Sequence, residues 1–361
     1  MNDLRRSQGG SRTATPGWSG LFRVAIVGAA SLKGKELKDT LEERNFPASD
    51  VLLLDDDDSL GLLDQVGDEA TFVQAVTRHS FDNVDVAFFA GDADFTRSTW
   101  RTAFDSGSAI VDLSYALDGE PGMAVRSPWI EHELMPEGGR KVDLSTTAAL
   151  AAHPAATMLG LLLLRARAAG GARCAAVTLF EPVSERGRPG MDELHQQTMN
   201  LLSFQPMPKA VFGAQIAFNL LSRFGDEVKG TMESSEQLIL AHLTALMRGK
   251  AELPALQLIQ APIFHGHAAA VYVELERKVT SGEFALALQG EHITVVATGD
   301  EQPTNVNVAG QQDIQVAVRE DASRANGLWL WAAADNLKLQ TLTAHECALE
   351  LVATRPSGKI Q

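Results

Sequence analysis

Along the first part of the chain, short apolar runs alternate with longer stretches of helical periodicity. Residues 22–27 form an apolar run that ends in Gly28, and after the turn Ala29-Ala30-Ser31-Leu32-Lys33-Gly34 a helical pattern covers 35–44. Apolar runs at 51–54, 84–90 and 109–113 repeat the theme, the first closing on Asp55-Asp56-Asp57-Asp58 and the second on Gly91. Strands alternating with helices predict the α/β class, a Rossmann-type doubly wound parallel sheet.

From about residue 147 the rhythm changes. A small-residue strand leads into a long apolar helix over 159–169, and strand-like stretches at 174–180, 268–276 and 311–319 are mixed with helices near 191–202 and 236–246. The pattern predicts a second, α+β domain followed by a last helix, about 336–353, that returns to the first. The expected organisation is a disordered tail over 1–20, a first domain built from 21–146 and 334–355, and a second domain over 147–333. The loop 206–221, with Phe212, Ile216, Ala217, Phe218 and Leu220, is apolar enough either to meet another protein surface or to fold into its own core.

Composition narrows the partners. The 361 residues are 45% hydrophobic and 21% charged, ordinary for a globular chain, and 31 basic against 46 acidic residues leave a formal charge of −15. That sign repels nucleic acid and anionic membrane, which leaves small molecules or proteins as partners. No apolar run approaches the roughly 20 residues that span a bilayer, and the polar first 20 residues lack the apolar centre of a secretory signal. A cytoplasmic location is the default expectation. Cys174 and Cys347 have no metal-binding spacing, so both are expected to be small buried residues, and His265 with His267 makes no metal site without further ligands.

Strand, glycine turn and helix in succession give the 28–34 segment its interest. Gly28, Ser31 and Gly34 space a turn whose backbone N–H groups would receive a phosphate at a helix N-terminus, with Lys33 beside it; the other reading is a turn that only lets the helix pack on the strand. Asp55 stands where an adenosine ribose is read in dinucleotide folds, and Gly91 at the end of a neighbouring strand. Carboxylates there favour NAD over NADP if a dinucleotide binds, although a run of four acids is also what a solvated loop looks like.

The order of landmarks resembles the aspartate-β-semialdehyde dehydrogenase family, and in particular a Usg-like branch lacking the catalytic cysteine. The landmarks are the opening Arg23-Val24-Ala25-Ile26-Val27-Gly28-Ala29, the stretch His153-Pro154-Ala155-Ala156-Thr157-Met158, Val183-Ser184 with Gly187, Glu193-Leu194 with Gln197-Thr198, Pro262-Ile263-Phe264-His265-Gly266-His267, and Ala334-Asp335-Asn336-Leu337. The resemblance implies the semialdehyde dehydrogenase fold, a catalytic and dimerisation role for the second domain, a homodimer, and NADP-dependent reductive dephosphorylation of aspartyl-4-phosphate through a thioester. It also implies that His267 is the retained catalytic histidine, that Asn336 contributes to the cofactor site, and that Ala156 stands where the nucleophilic cysteine belongs. Glu181 then replaces a substrate-contacting glutamine, Gln260 an arginine that holds the substrate carboxylate, and Asp118 an arginine that binds phosphate. Two guanidiniums lost and two carboxylates gained oppose an anionic substrate. The expectation is a non-catalytic binding or interaction protein that binds NAD or NADP, NAD being favoured, or no dinucleotide; the alternative is an oxidoreductase on a different aldehyde or oxo substrate, using NAD and His267 without a thioester.

Overall fold

The computed structural model describes residues 22–59, 61–66, 69–135, 147–226, 228, 230–297 and 299–353; the tail expected over 1–20 lies outside them. The first half opens with β1 (Phe22–Val27), α1 (Leu32–Glu43) and β2 (Ala48–Asp55), then β3 (Leu63–Val66), β4 (Glu69–Phe72) and β5 (Gln74–Ala75). It continues with β6 (Val86–Phe89), α2 (Ala93–Asp105), β7 (Ala109–Asp112), β8 (Val125–Arg126), α3 (Pro128–Leu134) and β9 (Ala148–Ala151). Apart from the separate β3–β4 ribbon, the strands form a seven-stranded sheet in the order β5-β2-β1-β6-β7-β9-β8, parallel throughout. Every residue of β6, β7 and β9 is buried, as expected of strands covered on both faces. The order reverses between β1 and β6, so the crevice for a ligand opens at their carboxyl ends.

The second half comprises α4 (Pro154–Gly170), β10 (Ala172–Glu181), α5 (Gly187–Leu202), α6 (Met232–Met247), β11 (Ala255–Gln260), β12 (His267–Leu275), α7 (Ser281–Leu288), β13 (Ile293–Val295), β14 (Ile314–Glu320) and β15 (Gly327–Ala334). A six-stranded mixed sheet, β11-β10-β12-β15-β14-β13, carries Val177, Leu179, Val271, Val273, Leu328 and Leu330 on the face that joins one large core with α4, α6 and α7. Cys174, expected to be buried, begins the opposite, exposed register of β10, while Cys347 is enclosed. The loop reading divides as well: Phe212, Ile216 and Ala217 are fully buried, whereas Phe218 and Leu220 are exposed.

The last helix, α8 (Asn336–Ala353), belongs to both halves. Leu339 and Leu342 enter the second core, while Ala344, Cys347, Ala348, Leu351 and Val352 close the first against β1, β6, β7 and β9. A buried Thr40–Thr341 hydroxyl pair at 2.8 Å ties it to α1. No helix among the described residues is long and apolar enough to cross a membrane.

Candidate functional site

Glycine geometry fixes the turn after β1. Gly28 has φ +82°, and a Cβ on it would lie 2.2 Å from the Gly91 Cα; a Cβ on Gly34 would lie 2.2 Å from the Gly28 carbonyl oxygen. Only glycine fits at either place, because the colliding atoms are backbone. Ser31 caps α1: its hydroxyl accepts from the Gly34 N–H at 2.9 Å and donates to the Ala90 carbonyl at 2.8 Å. Asp55 accepts from the Ala30 and Asp56 N–H groups at 2.7 and 2.9 Å, while burial raises its pKa. Gly28, Ser31, Gly34, Asp55 and Gly91 are thus brought together at the carboxyl ends of β1, β2 and β6. Their spacing at the amino end of α1 is that of a dinucleotide-binding turn, with the Ala30 and Gly34 N–H groups already taken by Asp55 and Ser31.

Lys33 and Asn336 lie elsewhere than the turn. Lys33 sends its ammonium inward to the Leu113 carbonyl at 3.0 Å and over the Tyr115 ring, 4.4 Å from its centroid. This corrects its expected place beside a phosphate, since a carbonyl and an aromatic face already hold the cation. Asn336 opens α8, where its side-chain oxygen accepts from the Gly266 N–H at 2.9 Å and its amide donates to Glu185 at 2.7 Å.

Both residues point into a polar cluster between the two halves. His153 caps α4, its Nδ1 accepting from the Ala155 N–H at 3.2 Å, and the Nδ1 of His242 accepts from the His153 N–H at 2.9 Å. Each ring therefore carries its proton on Nε2. Those atoms face carboxylates at distances too long for hydrogen bonds, His153 Nε2 at 3.7 Å from Glu185 and His242 Nε2 at 3.8 Å from Asp118. The Nε2 of His267 lies 3.9 Å from the other Glu185 oxygen. Tyr115 stacks on His153 with centroids 5.4 Å apart, meets His242 edge-on, and shares a 2.8 Å hydrogen bond with the Gln340 amide. Its φ of 62° places it in the left-handed region, where a bulky residue is held only by its surroundings.

The cluster sets its own charge states. Burial lowers the pKa of His153, His267 and His242, the last to about 4. Burial raises Glu181 to about 7, an effect that its 3.4 Å contact with Arg186 offsets only in part. Glu185 goes the other way, to about 2, because the nearby histidines, Lys33 and the Asn336 amide outweigh its desolvation. Ala156 lies fully buried in the first turn of α4, and the Thr157 hydroxyl beside it reaches the Ser127 hydroxyl at 3.3 Å.

Of the sequence-derived residues, His267, Glu181, Lys33 and Asn336 converge here, with Ala156 in the adjoining helix turn. Glu185, Tyr115, His242 and Gln340 were not foreseen. Glu185 stands between the landmarks Val183-Ser184 and Gly187, and its charge there was the available signal; His242 carried none, lying in a helix remote in sequence. Among the described residues no group of three or more His, Cys, Asp or Glu side chains is arranged to hold a metal ion.

Glu181 makes the fold sensitive to pH. In the unfolded chain its carboxyl titrates near the ordinary 4.5, in the folded chain near 7, so between these values only the folded state keeps the proton and rising pH favours unfolding. Glu181→Gln should therefore stabilise the protein at about pH 8 and have little effect at about pH 4. Urea midpoints at the two pH values check this, and equal effects at both would refute it.

A parallel nucleotide-binding sheet closed against a mixed-sheet domain, with ionisable side chains buried between them, defines a two-domain dehydrogenase scaffold. The NAD binding domain of semialdehyde dehydrogenase matches residues 23–151, and the dimerisation domain of the same family matches 163–339. A USG-1 protein homologue of Pseudomonas aeruginosa is 30% identical over 88% of this chain and 93% of its own length. An aspartate-semialdehyde dehydrogenase of Rickettsia conorii is 28% identical over 92% of this chain and 98% of its own. The solved structure of a probable aspartate-semialdehyde dehydrogenase from Pseudomonas aeruginosa superposes with a TM-score of 0.82 at 29% identity, covering 92% of this chain and 99% of that one. The chain belongs to the semialdehyde dehydrogenase family, in the branch of the USG-1 homologues.

Proposed function

We propose that this protein does not run the thioester reaction of aspartate-semialdehyde dehydrogenases and serves as a non-catalytic, homodimeric binding protein in which the interdomain cleft is kept for a ligand. The observation that carries this reading is Ala156. It stands in the first turn of α4, where a thiolate would attack, and neither Thr157 nor either cysteine supplies a replacement. Thr157 reaches only another hydroxyl. Cys174 is exposed at the start of β10, and Cys347, two helical turns beyond Gln340, has its thiol pushed far above the ordinary range by burial. Glu181, Gln260 and Asp118 reinforce the reading, since they weaken a site for an acyl phosphate.

NAD is the dinucleotide the first domain would favour. Gly28, Ser31 and Gly34 would hold its pyrophosphate, and exposed Asp56 and Asp58 at the end of β2 would repel a 2′-phosphate. A bound dinucleotide would supply a hydride acceptor or donor, and His267, next to Glu185, would move a proton. This is what favours the second reading, an oxidoreductase on another oxo substrate. Two measurements on the purified chain separate the readings. Aspartate semialdehyde, phosphate and NADP should give no turnover with the native protein or with Ala156→Cys; family-like rates from the native protein would overturn the proposal. NAD and NADP titrations followed by thermal stability test the dinucleotide, because a ligand of the folded state must stabilise it; without a shift from either, the oxidoreductase reading fails.

A further inference from the structure

We propose that the Tyr115 side chain is the gate of the interdomain cleft: its ring closes the way to the buried histidines, and a ligand reaches them only when that ring swings out. This rests on reading the cleft as a binding site and names what controls entry to it.

The rings stand in file. Tyr115 is half-buried and stacks on His153, whose ring centroid lies 5.7 Å from that of His267. His153 and His267 are 3% and 1% exposed, and His242, which meets the Tyr115 ring edge-on, is 0% exposed. Tyr115 is thus the outer member of the row, and the chain runs on from it to exposed Asp118 and Gly119. In that place the ring keeps water from three imidazoles and from the Glu185 carboxylate that faces two of them.

Side chains alone hold the ring. Besides the two histidines it has the Lys33 ammonium 4.4 Å from its centroid and a hydrogen bond accepted from the Gln340 amide at 2.8 Å. Its backbone is fixed separately: Asp112 accepts from the Ser114 N–H at 2.7 Å and from the Leu117 N–H at 3.0 Å, so the turn keeps its shape while the ring rotates. At φ 62° the turn has a conformation that glycine or asparagine adopts more readily than tyrosine. A bulky residue kept in a disfavoured backbone region by the contacts of its side chain is the arrangement found in clamps and switch segments.

The probe is diethyl pyrocarbonate, which acylates accessible imidazole nitrogens, added to the purified full-length chain at about pH 7, where an ordinary imidazole is mostly neutral and reactive. The readout is the labelling rate of each histidine by peptide mass spectrometry. In the native chain His153 and His242 should be labelled far more slowly than His79 and His132, whose side chains are 78% and 62% exposed. Tyr115→Gly, which suits the left-handed backbone, should raise the rate at His153 and His242 about tenfold or more, as for groups released from local protection. Tyr115→Phe, which keeps the ring, should leave them protected. His345, 3% exposed beside Phe46 and outside the row, reports general unfolding and should stay protected in every variant. Should Tyr115→Gly not fold, Tyr115→Asn decides, since asparagine tolerates the same backbone region. Rapid labelling of His153 and His242 in the native chain, continued protection in Tyr115→Gly, or labelling of His345 together with them would each overturn the proposal, the last by making the ring a structural support. Because labelling needs neither phosphate nor dinucleotide, its failure is separate from the turnover assay: protected histidines in Tyr115→Gly with no semialdehyde turnover would sink the gate and leave the non-catalytic reading standing.

Discussion

Replacing Arg126 with alanine should lower the stability by about 3–5 kcal/mol, the usual result of breaking a buried ion pair from one side. Arg126 is 2% exposed, and its guanidinium grips Glu131 through Nε at 3.0 Å and Nη2 at 2.7 Å while also reaching Glu350 on α8. The arginine ends β8, Glu131 lies in α3 and Glu350 near the end of the chain, so one side chain fastens three elements. Removing it takes both of the arginine's hydrogen bonds from the buried Glu131 carboxylate. Most of the loss should return in the double variant Arg126→Met, Glu131→Leu, which replaces the pair by apolar groups of similar volume. Urea denaturation of native, single and double variants checks both statements. A single-variant loss below about 1 kcal/mol would mean that the pair behaves as a surface pair.

Gly28→Ala should be comparably damaging, by about 2–5 kcal/mol, since left-handed strain and overpacking act together. The added methyl would meet the Gly91 backbone at 2.2 Å, and Gly91 closes a fully buried strand, so neither side can give way without disturbing the sheet. Gly122 supplies the comparison: its φ of +87° is similar, but a Cβ there meets nothing within 4 Å. Gly122→Ala should therefore cost only the strain of about 1–2 kcal/mol. Equal melting temperatures for the two variants would refute the close-packing argument. Gly28→Ala should also abolish any stabilisation by NAD, because the turn would no longer accept a pyrophosphate.

These two sites illustrate how much of the molecule could be read from its sequence. The turn at Gly28 was legible because strand, glycines and helix lie within a few residues of one another, and the parallel sheet followed from the repetition of that unit. The second domain was harder to read. The strand Gly327–Ala334 is a nearly continuous apolar run, without the alternation that marks a half-buried strand. Arg126 looked like any polar residue; its burial depends on two glutamates, one of them 224 positions away. The cluster at Glu185 is the extreme case. Its histidines come from the ends of β9 and β12 and from the middle of α6, and no local pattern records that they meet.

The last helix carries a consequence for how the protein is made. Because α8 fills one flank of the first sheet, a chain still emerging from the ribosome reaches residue 335 with β1, β6, β7 and β9 translated but their apolar face, at Val24, Val86, Val111 and Ala149, still lacking the cover of α8 beside Leu37 and Leu41 of α1. The earliest-made domain is thus among the last to be completed, and its exposed strands must wait through synthesis of the whole second domain. Such a nascent chain is a natural client for chaperones that shield apolar surface, and loss of its final residues would harm the beginning of the protein as much as its end.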